Sequence, residues 1–463
     1  MPERGPNMLL VFADQMRGQA LGCAGNAQVA TPTLDRLARE GVMAPNAFAN
    51  NPVCTPSRGS LLTGLYPLAH RALTNDVPVR TDIPSLGTVL KEAGYRTGYI
   101  GKWHLGGVPR DRFIPPGPER LGFDDYWAAW NCAHDYFNGR YHLDDDTTHT
   151  FPGYEPDGQT DLAEEFIRGH GREPFALVVS YGTPHAPYSQ VPAEWLDLYD
   201  PPSIELRPNV PDLSAEKAAR RRAILAQYYA AISALDADLG RLMATLEDEG
   251  MLRDTLVVFT SDHGDMLGSH GMRKKEQPWE ESVRVPLLLR CPAALPAGFC
   301  VEAVVGITDL TPTMLDLLGV GVPGSMQGRS VAAALRGQAR GPDSVPLGIP
   351  VPVDQAVAQG VPEWRGLRTS RYTYARRIND QGWVLYDNEM DPCQQRNLIA
   401  EPAAAELRKG LEATLRCWLD RTEDPFLPWR DMIRRAGLVA DWNKRERYMH
   451  PDDPHLVGED DDG

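Results

Sequence analysis

Six consecutive apolar residues, Met8–Ala13, stop abruptly at Asp14, and runs of similar form recur at Phe175–Ser180, Leu256–Thr260 and Val285–Leu289. Runs this short, with no polar alternation, read as buried strands. Helical patterns lie between them. Thr33–Glu40 is closed by Gly41, and Pro84–Ala93 is closed by Gly94 ahead of a strand through Tyr99–Ile100. The clearest helix runs from about Ala215 to Leu246, where Ile224, Tyr228, Ile232, Leu235, Leu239, Leu242 and Leu246 form one apolar face. Buried strands alternating with amphipathic helices predict an α/β layer architecture.

At 463 residues the chain has room for two or three domains. The segment Gly106–Asp157 shows no periodicity and predicts long loops over one face of the sheet. Its aromatic residues Phe113, Tyr126, Trp127, Trp130, Tyr136, Phe137 and Tyr141 either stack on a ligand ring or pack between loop and core. Composition shifts to Gly, Pro, Ala and Arg around Gly321–Pro352, which suggests a connection. Arg365–Arg377 and Trp383–Asp387 then read as a small antiparallel sheet, with Ala403–Leu419 as a helix packed on it. We therefore expect a catalytic domain over 1–350, a C-terminal subdomain over 351–450 and an acidic disordered tail over 451–463.

Charge narrows the partners. Lys+Arg 47 against Asp+Glu 63 gives −16, which disfavours nucleic acid and anionic membranes. An anionic substrate would need a local cationic pocket. No apolar stretch approaches a membrane span, and no secretory leader is legible, so the expectation is a cytoplasmic protein. Seven cysteines without a C-x-x-C pair point to reduced thiols rather than disulfides or zinc knuckles. Nothing in the sequence selects an oligomeric state.

Six strings carry chemistry. Cys54-Thr55-Pro56-Ser57-Arg58 is followed by Leu62-Thr63-Gly64. Asp14-Gln15 and Asp262-His263 each end a predicted strand, where sites of open α/β sheets gather. Together they offer three oxygens and an imidazole, a donor set suited to Ca²⁺ or Mg²⁺, with Mn²⁺ possible. Gly101-Lys102-Trp103-His104-Leu105-Gly106 puts Lys102 and His104 on one side if extended. Thr183-Pro184-His185-Ala186-Pro187 follows a strand, and His270 precedes Lys275 by five residues.

These strings resemble the type I sulfatases of the alkaline-phosphatase superfamily, and the resemblance covers nearly the whole chain. It implies a large mixed β-sheet flanked by helices, with a smaller C-terminal α+β domain. It implies hydrolysis of a small-molecule or saccharide sulfate monoester at the S–O bond. Cys54 would be converted by a formylglycine-generating enzyme to Cα-formylglycine, whose hydrate has one hydroxyl to attack sulfur and another to expel sulfate. Asp14, Gln15, Asp262 and His263, with the residue at Cys54, would hold one divalent metal, Ca²⁺ foremost. Lys102 would hold the hydrate, Arg58 would join it in a fixed cationic pocket with Lys275 and the two histidines, Asp262 and His104 would accept protons, and His185 with Lys275 would bind the sulfate oxygens and assist departure of the alcohol. Gln15 stands where many relatives have a second Asp, which lowers the site's negative charge by one. The alternative is a phosphonate monoester or phosphodiester hydrolase with the same formylglycine and metal; Ser57 favours the sulfatase. A non-catalytic carbohydrate-binding relative would have lost the nucleophile or ligands, and this sequence keeps both.

Overall fold

The structure is a computed structural model and describes residues 5–169, 173–379 and 382–458. Its spine is an eight-stranded mixed sheet in the order Phe299–Cys300, Val42–Met43, Leu287–Arg290, Thr255–Ser261, Asn7–Asp14, Phe175–Pro184, Arg96–Lys102 and Tyr126–Trp130. Asn7–Asp14 lies inside, parallel to both neighbours. Met8, Leu10 and Phe12 join one core with Leu61, Leu62, Leu310 and Met314. Leu9, Val11 and Ala13 join the opposite core with Leu34, Leu37, Ile232, Leu235 and Leu239. Because both faces are covered, every position must be apolar, which is why the run shows no alternation.

Register brings the chemistry to one edge. Leu9 pairs with both Leu177 and Val257, and Gly101 pairs with Ser180. Asp14, Lys102, Pro184 and Ser261 therefore end parallel strands on the same side of the sheet. The helix Ala215–Asp248 covers one face together with Pro32–Glu40 and Glu155–Arg168, while Cys54–Thr63 and Leu310–Leu317 cover the other.

A four-stranded antiparallel sheet follows, Ser344–Ile349, Trp364–Thr369, Tyr372–Arg377 and Gly382–Asp387. Leu367, Tyr374 and Leu385 meet Leu411, Leu415 and Trp418 of the helix Ala405–Arg421. Trp364, Ala375 and Val384 face Phe48, Met266 and Trp279 of the larger unit. Trp364 is fully buried, and its Nε1 donates to Glu276 O at 3.0 Å. The small sheet thus grips the loop next to Lys275.

Three expectations differ from what is observed. The segment 106–157 is not all loop, because Tyr126–Trp130 is the edge strand, parallel to Arg96–Lys102. Its pattern of large and small residues, Tyr-Trp-Ala-Ala-Trp, hides a strand from a search for polar alternation. The stretch 321–352 holds a short helix, Ala332–Leu335, and the small sheet's first strand, which precedes the boundary read at 351. Residues 451–458 are tied down: Val457 is 2% exposed, Asn443 Nδ2 donates to its carbonyl, and Trp442 Nε1 donates to His455 O. Residues 459–463 of the expected tail lie outside the described residues. Among the described residues no helix is long and apolar enough to cross a membrane.

Trp364→Ala leaves a cavity at the seam between the sheets, and such truncations cost about 3–5 kcal/mol. We expect a lowered denaturant midpoint in a urea titration followed by tryptophan fluorescence.

Candidate active site

Cys54 opens the helix Cys54–Thr63, all of whose residues are buried. Arg58 lies four residues on, so the two side chains share a face. That face is turned to the carboxyl ends of the central strands, where Arg58 has no exposed surface. Its Nε donates to Asp262 Oδ2 at 3.0 Å and its Nη2 to Asp14 Oδ2 at 3.0 Å. Nη1 is used by Lys102 O at 2.8 Å and Ser180 Oγ at 2.7 Å. Lys102 Nζ shares Asp14 Oδ2 at 2.7 Å.

With those outer oxygens taken, the inner donors converge. His263 Nε2 is 3.7 Å from Asp14 Oδ1, 3.6 Å from Asp262 Oδ1 and 3.2 Å from Cys54 Sγ. One donor atom from each of Asp14, Cys54, Asp262 and His263 lies within 4.8 Å of the others. His263 Nδ1 lies 2.9 Å from Gly264 O, which leaves Nε2 for the centre. Two carboxylates and an imidazole around a fully enclosed point fit a hard divalent cation.

Gln15 completes the rim. It has a left-handed backbone, φ 73°, and its N–H donates to Asp262 Oδ1 at 3.0 Å. Its side-chain amide is clamped, with Nε2 on Asp265 Oδ2 at 2.7 Å and Oε1 facing Lys275 Nζ at 3.2 Å. The amide oxygen is thus directed at the lysine that meets Cys54 Sγ. Lys275 is 1% exposed and its Nζ sits 2.9 Å from Cys54 Sγ, whereas Lys274 beside it is exposed.

Charge at the centre follows from these contacts. Burial and Asp14 push the Cys54 thiol up, but Lys275, Lys102 and His263 outweigh them and hold it well below the ordinary range. Burial opposes ionisation of Asp14, yet Lys102, His185 and Arg58 keep it strongly acidic. Burial and the Asp14 charge raise Asp262. The pair thus divides into a permanent anion and a group better able to take a proton.

His104 and His185 flank this core. His104 is not extended but left-handed, φ 55°, so Lys102 and His104 reach the site by different turns of the chain. His104 Nε2 lies 3.2 Å from Asp76 Oδ1, and Arg110 binds the same carboxylate through two bonds of 2.8 and 2.7 Å. Its ring is buried beside the Cys132 thiol, and its carbonyl accepts from Thr55 Oγ1 at 2.9 Å. Burial opposes protonation, but Cys132 and Asp76 raise the ring to about 10. The implied role as a base requires loss of that proton first. His185 lies on a loop with cis bonds before Pro184 and Pro187, and burial with the Lys275 charge lowers it to about 3.

Single-sequence reading missed His134, whose Nε2 is 3.2 Å from Lys102 Nζ and whose ring stacks on His185 with centroids 4.2 Å apart. No motif surrounds it. It follows the unrecognised strand Tyr126–Trp130, whose carboxyl end delivers it to the site. Asp76 and Asp265 were missed too, although Asp265 lies three residues after Asp262. Three of the seven aromatic loop residues, Trp127, Trp130 and Tyr136, pack into the fold. Trp127 and Tyr136 are buried, and Tyr136 OH donates to Gly182 O at 2.7 Å and His185 O at 2.9 Å. Phe137 is 43% exposed.

A buried cysteine at a helix start, braced by an arginine and ringed by carboxylates, imidazoles and lysines at the strand ends, defines a hydrolase of the alkaline-phosphatase-like fold. Residues 6–320 match the Sulfatase family model, and residues 268–420 match N-sulphoglucosamine sulphohydrolase, C-terminal. The chain belongs to the sulfatase family and is a hydrolase of sulfate esters. It is 37% identical to an ulvan-active sulfatase of Formosa agariphila, over 95% of this chain and 86% of that one. It is 27% identical to an N-acetylglucosamine-6-O-sulfatase of Bacteroides thetaiotaomicron, over 90% and 88%. A solved structure from Bacteroides fragilis, itself assigned to the sulfatases, superposes with a TM-score of 0.84 at 31% identity, covering 92% of this chain and 98% of that one.

Removing one partner of a buried ionic cluster typically costs about 3–5 kcal/mol, because the remaining charges stay desolvated. Arg58→Met should therefore lower thermal stability in calorimetry as well as abolish activity. Added divalent cation should recover part of the lost stability by neutralising Asp14 and Asp262.

Proposed function

We propose that the protein hydrolyses the sulfate monoester of a saccharide, using a formylglycine made from Cys54 and one divalent cation, Ca²⁺ foremost. The observation that carries this is the place of Cys54 Sγ, between Lys275 Nζ at 2.9 Å and His263 Nε2 at 3.2 Å, at the head of the helix that Arg58 anchors. The saccharide reading is supported by the N-acetylglucosamine-6-O-sulfatase among the relatives. A formylglycine hydrate supplies two hydroxyls on one carbon, so the nucleophile is regenerated without a second attack at sulfur. Asp14, Asp262 and His263, with Gln15 at the rim, would hold the cation, which neutralises an ester oxygen and acidifies a bound hydroxyl.

The chain's own groups perform the rest. Asp262, raised by burial and its neighbour Asp14, accepts the attacking proton. Lys102 and Lys275 present fixed positive charge where the ester's negative charge grows, so little reorganisation is needed. Lys275 faces the departing alcohol and donates to its oxygen, with the neutral ring of His185 on the same side. His104, oriented by Asp76, serves the release of sulfate.

The test begins with protein co-produced with a formylglycine-generating enzyme. The tryptic peptide Glu40–Arg58 should show thiol-to-aldehyde conversion by mass spectrometry, and the preparation should hydrolyse sulfated sugars and 4-nitrophenyl sulfate far faster than an aryl phosphodiester. Activity with only intact thiol at Cys54, or a preference for the phosphodiester, overturns the proposal. Asp262→Ala should lose bound metal by elemental analysis together with activity. Lys275→Ala should slow substrates with poor leaving groups by ~10²–10⁴-fold, and a nitrophenol ester by much less.

A further inference from the structure

A cavity of about 420 Å³ opens beside the catalytic centre, lined by both units of the fold. It is continuous in sequence with the groups that face the departing alcohol, since Ala186 follows His185 and Lys274 precedes Lys275. Tyr188 divides it from the centre. Its hydroxyl donates to Asp265 Oδ2 at 2.5 Å and lies 3.4 Å from Gln15 Nε2. On the function proposed above, what is joined to the ester oxygen would lie on this side.

The lining is unusual for a chain of net charge −16. Arg221, Arg273 and Lys274 all reach it, from the long helix and from the loop before Lys275. Among the described residues none of the three has a carboxylate partner, and Arg221 Nε is buried with no acceptor. Asp265 is the only acid in the lining, and its oxygens already accept from Gln15 Nε2, Tyr188 OH and Leu267 N. The cations crowd one another: burial and Arg273 lower the basicity of Arg221, and burial with Lys275 and Arg273 lowers that of Lys274. Between them Ile224 and Leu267 supply apolar wall suited to the face of a ring.

The main chain at Arg273 is also held in place. Its N–H donates to Gln359 Oε1 at 2.9 Å, and Gln359 Nε2 donates back to its carbonyl at 3.2 Å. A cationic patch on an acidic chain, beside the groups proposed to face the alcohol, favours a complementary charge on that alcohol.

We propose that this cavity binds a second acidic group, a carboxylate or sulfate, carried by the saccharide whose sulfate ester is cleaved. The inference rests on the sulfatase reading above, with Lys275 and His185 on the alcohol side. The substrate class becomes a polyanionic saccharide rather than a singly sulfated sugar or an aryl sulfate.

The experiment compares a sulfated disaccharide containing a uronate with the same disaccharide after carboxyl reduction. Calorimetric titration of protein made without the maturation enzyme reads binding free of turnover. The uronate form should bind roughly tenfold tighter, a ratio typical of one good charge-assisted contact. Arg273→Gln, at an exposed position, should reduce that ratio to near one, and Arg221→Gln should weaken it. Matured Arg273→Gln should hydrolyse 4-nitrophenyl sulfate within twofold of the parent, which shows that fold and catalytic centre are intact. Equal affinity for the two sugars in the parent, or a ratio that survives the Arg221→Gln/Arg273→Gln double variant, overturns the proposal. A matured parent inactive on 4-nitrophenyl sulfate and on both sugars strikes the sulfatase reading instead, since the binding measurement needs no catalysis.

Discussion

The guanidinium of Arg58 is the interaction on which the rest depends. Two carboxylates brought together without water repel each other and resist ionisation, and Asp14 and Asp262 are both fully buried. A planar fork with separate donors answers each of them at 3.0 Å and still reaches a strand carbonyl and a serine hydroxyl. Lysine has neither the reach nor the directions. Because the arginine takes only the outer oxygens, the inner ones face His263 and Cys54, that of Asp262 also accepting from the Gln15 N–H. The place of Cys54 and the room for a cation both depend on where this one side chain is anchored.

Much of this was legible in the sequence because the strings sit where physics places active sites. Asp14 and Asp262 end apolar strands, and a parallel sheet buried on both faces puts such ends together. Arg58 follows Cys54 by one helical turn. His134 left no trace, since its role comes from stacking on His185 and meeting Lys102 across the fold, and no local pattern encodes either contact. The edge strand Tyr126–Trp130 was hidden for a related reason: its inward and outward residues are both apolar or aromatic, so no period of two emerges. The left-handed turns at Gln15 and His104 were equally silent, because neither residue type demands them. They are imposed by hydrogen bonds from distant residues such as Asp262.

The small C-terminal sheet contributes by restraint. Trp364 holds Glu276 O, the Glu276 carboxylate accepts from Val353 N, and Gln359 brackets Arg273. The loop that delivers Lys275 is thus fixed from outside the main sheet, with Lys274 and Glu276 both at positive φ. Such backbone persists only where surrounding contacts over-determine it. The cationic lining of the neighbouring cavity and the lysine beside Cys54 sit on this one loop, so on the proposals above its exposed residues could vary while Lys275 stays in register.

The burial of Cys54 imposes an order of events. At 1% exposed, on a helix with no exposed residue, its sulfur offers no surface to a second protein once the sheet and helices have closed. Any enzyme that alters it must meet the segment while it is still an extended peptide. On the proposed conversion to formylglycine, the fate of Cys54 would be decided in a race between modification and collapse, and a chain that folded first would be locked as a thiol. Faster folding, ordinarily an advantage, would here yield more protein and less enzyme.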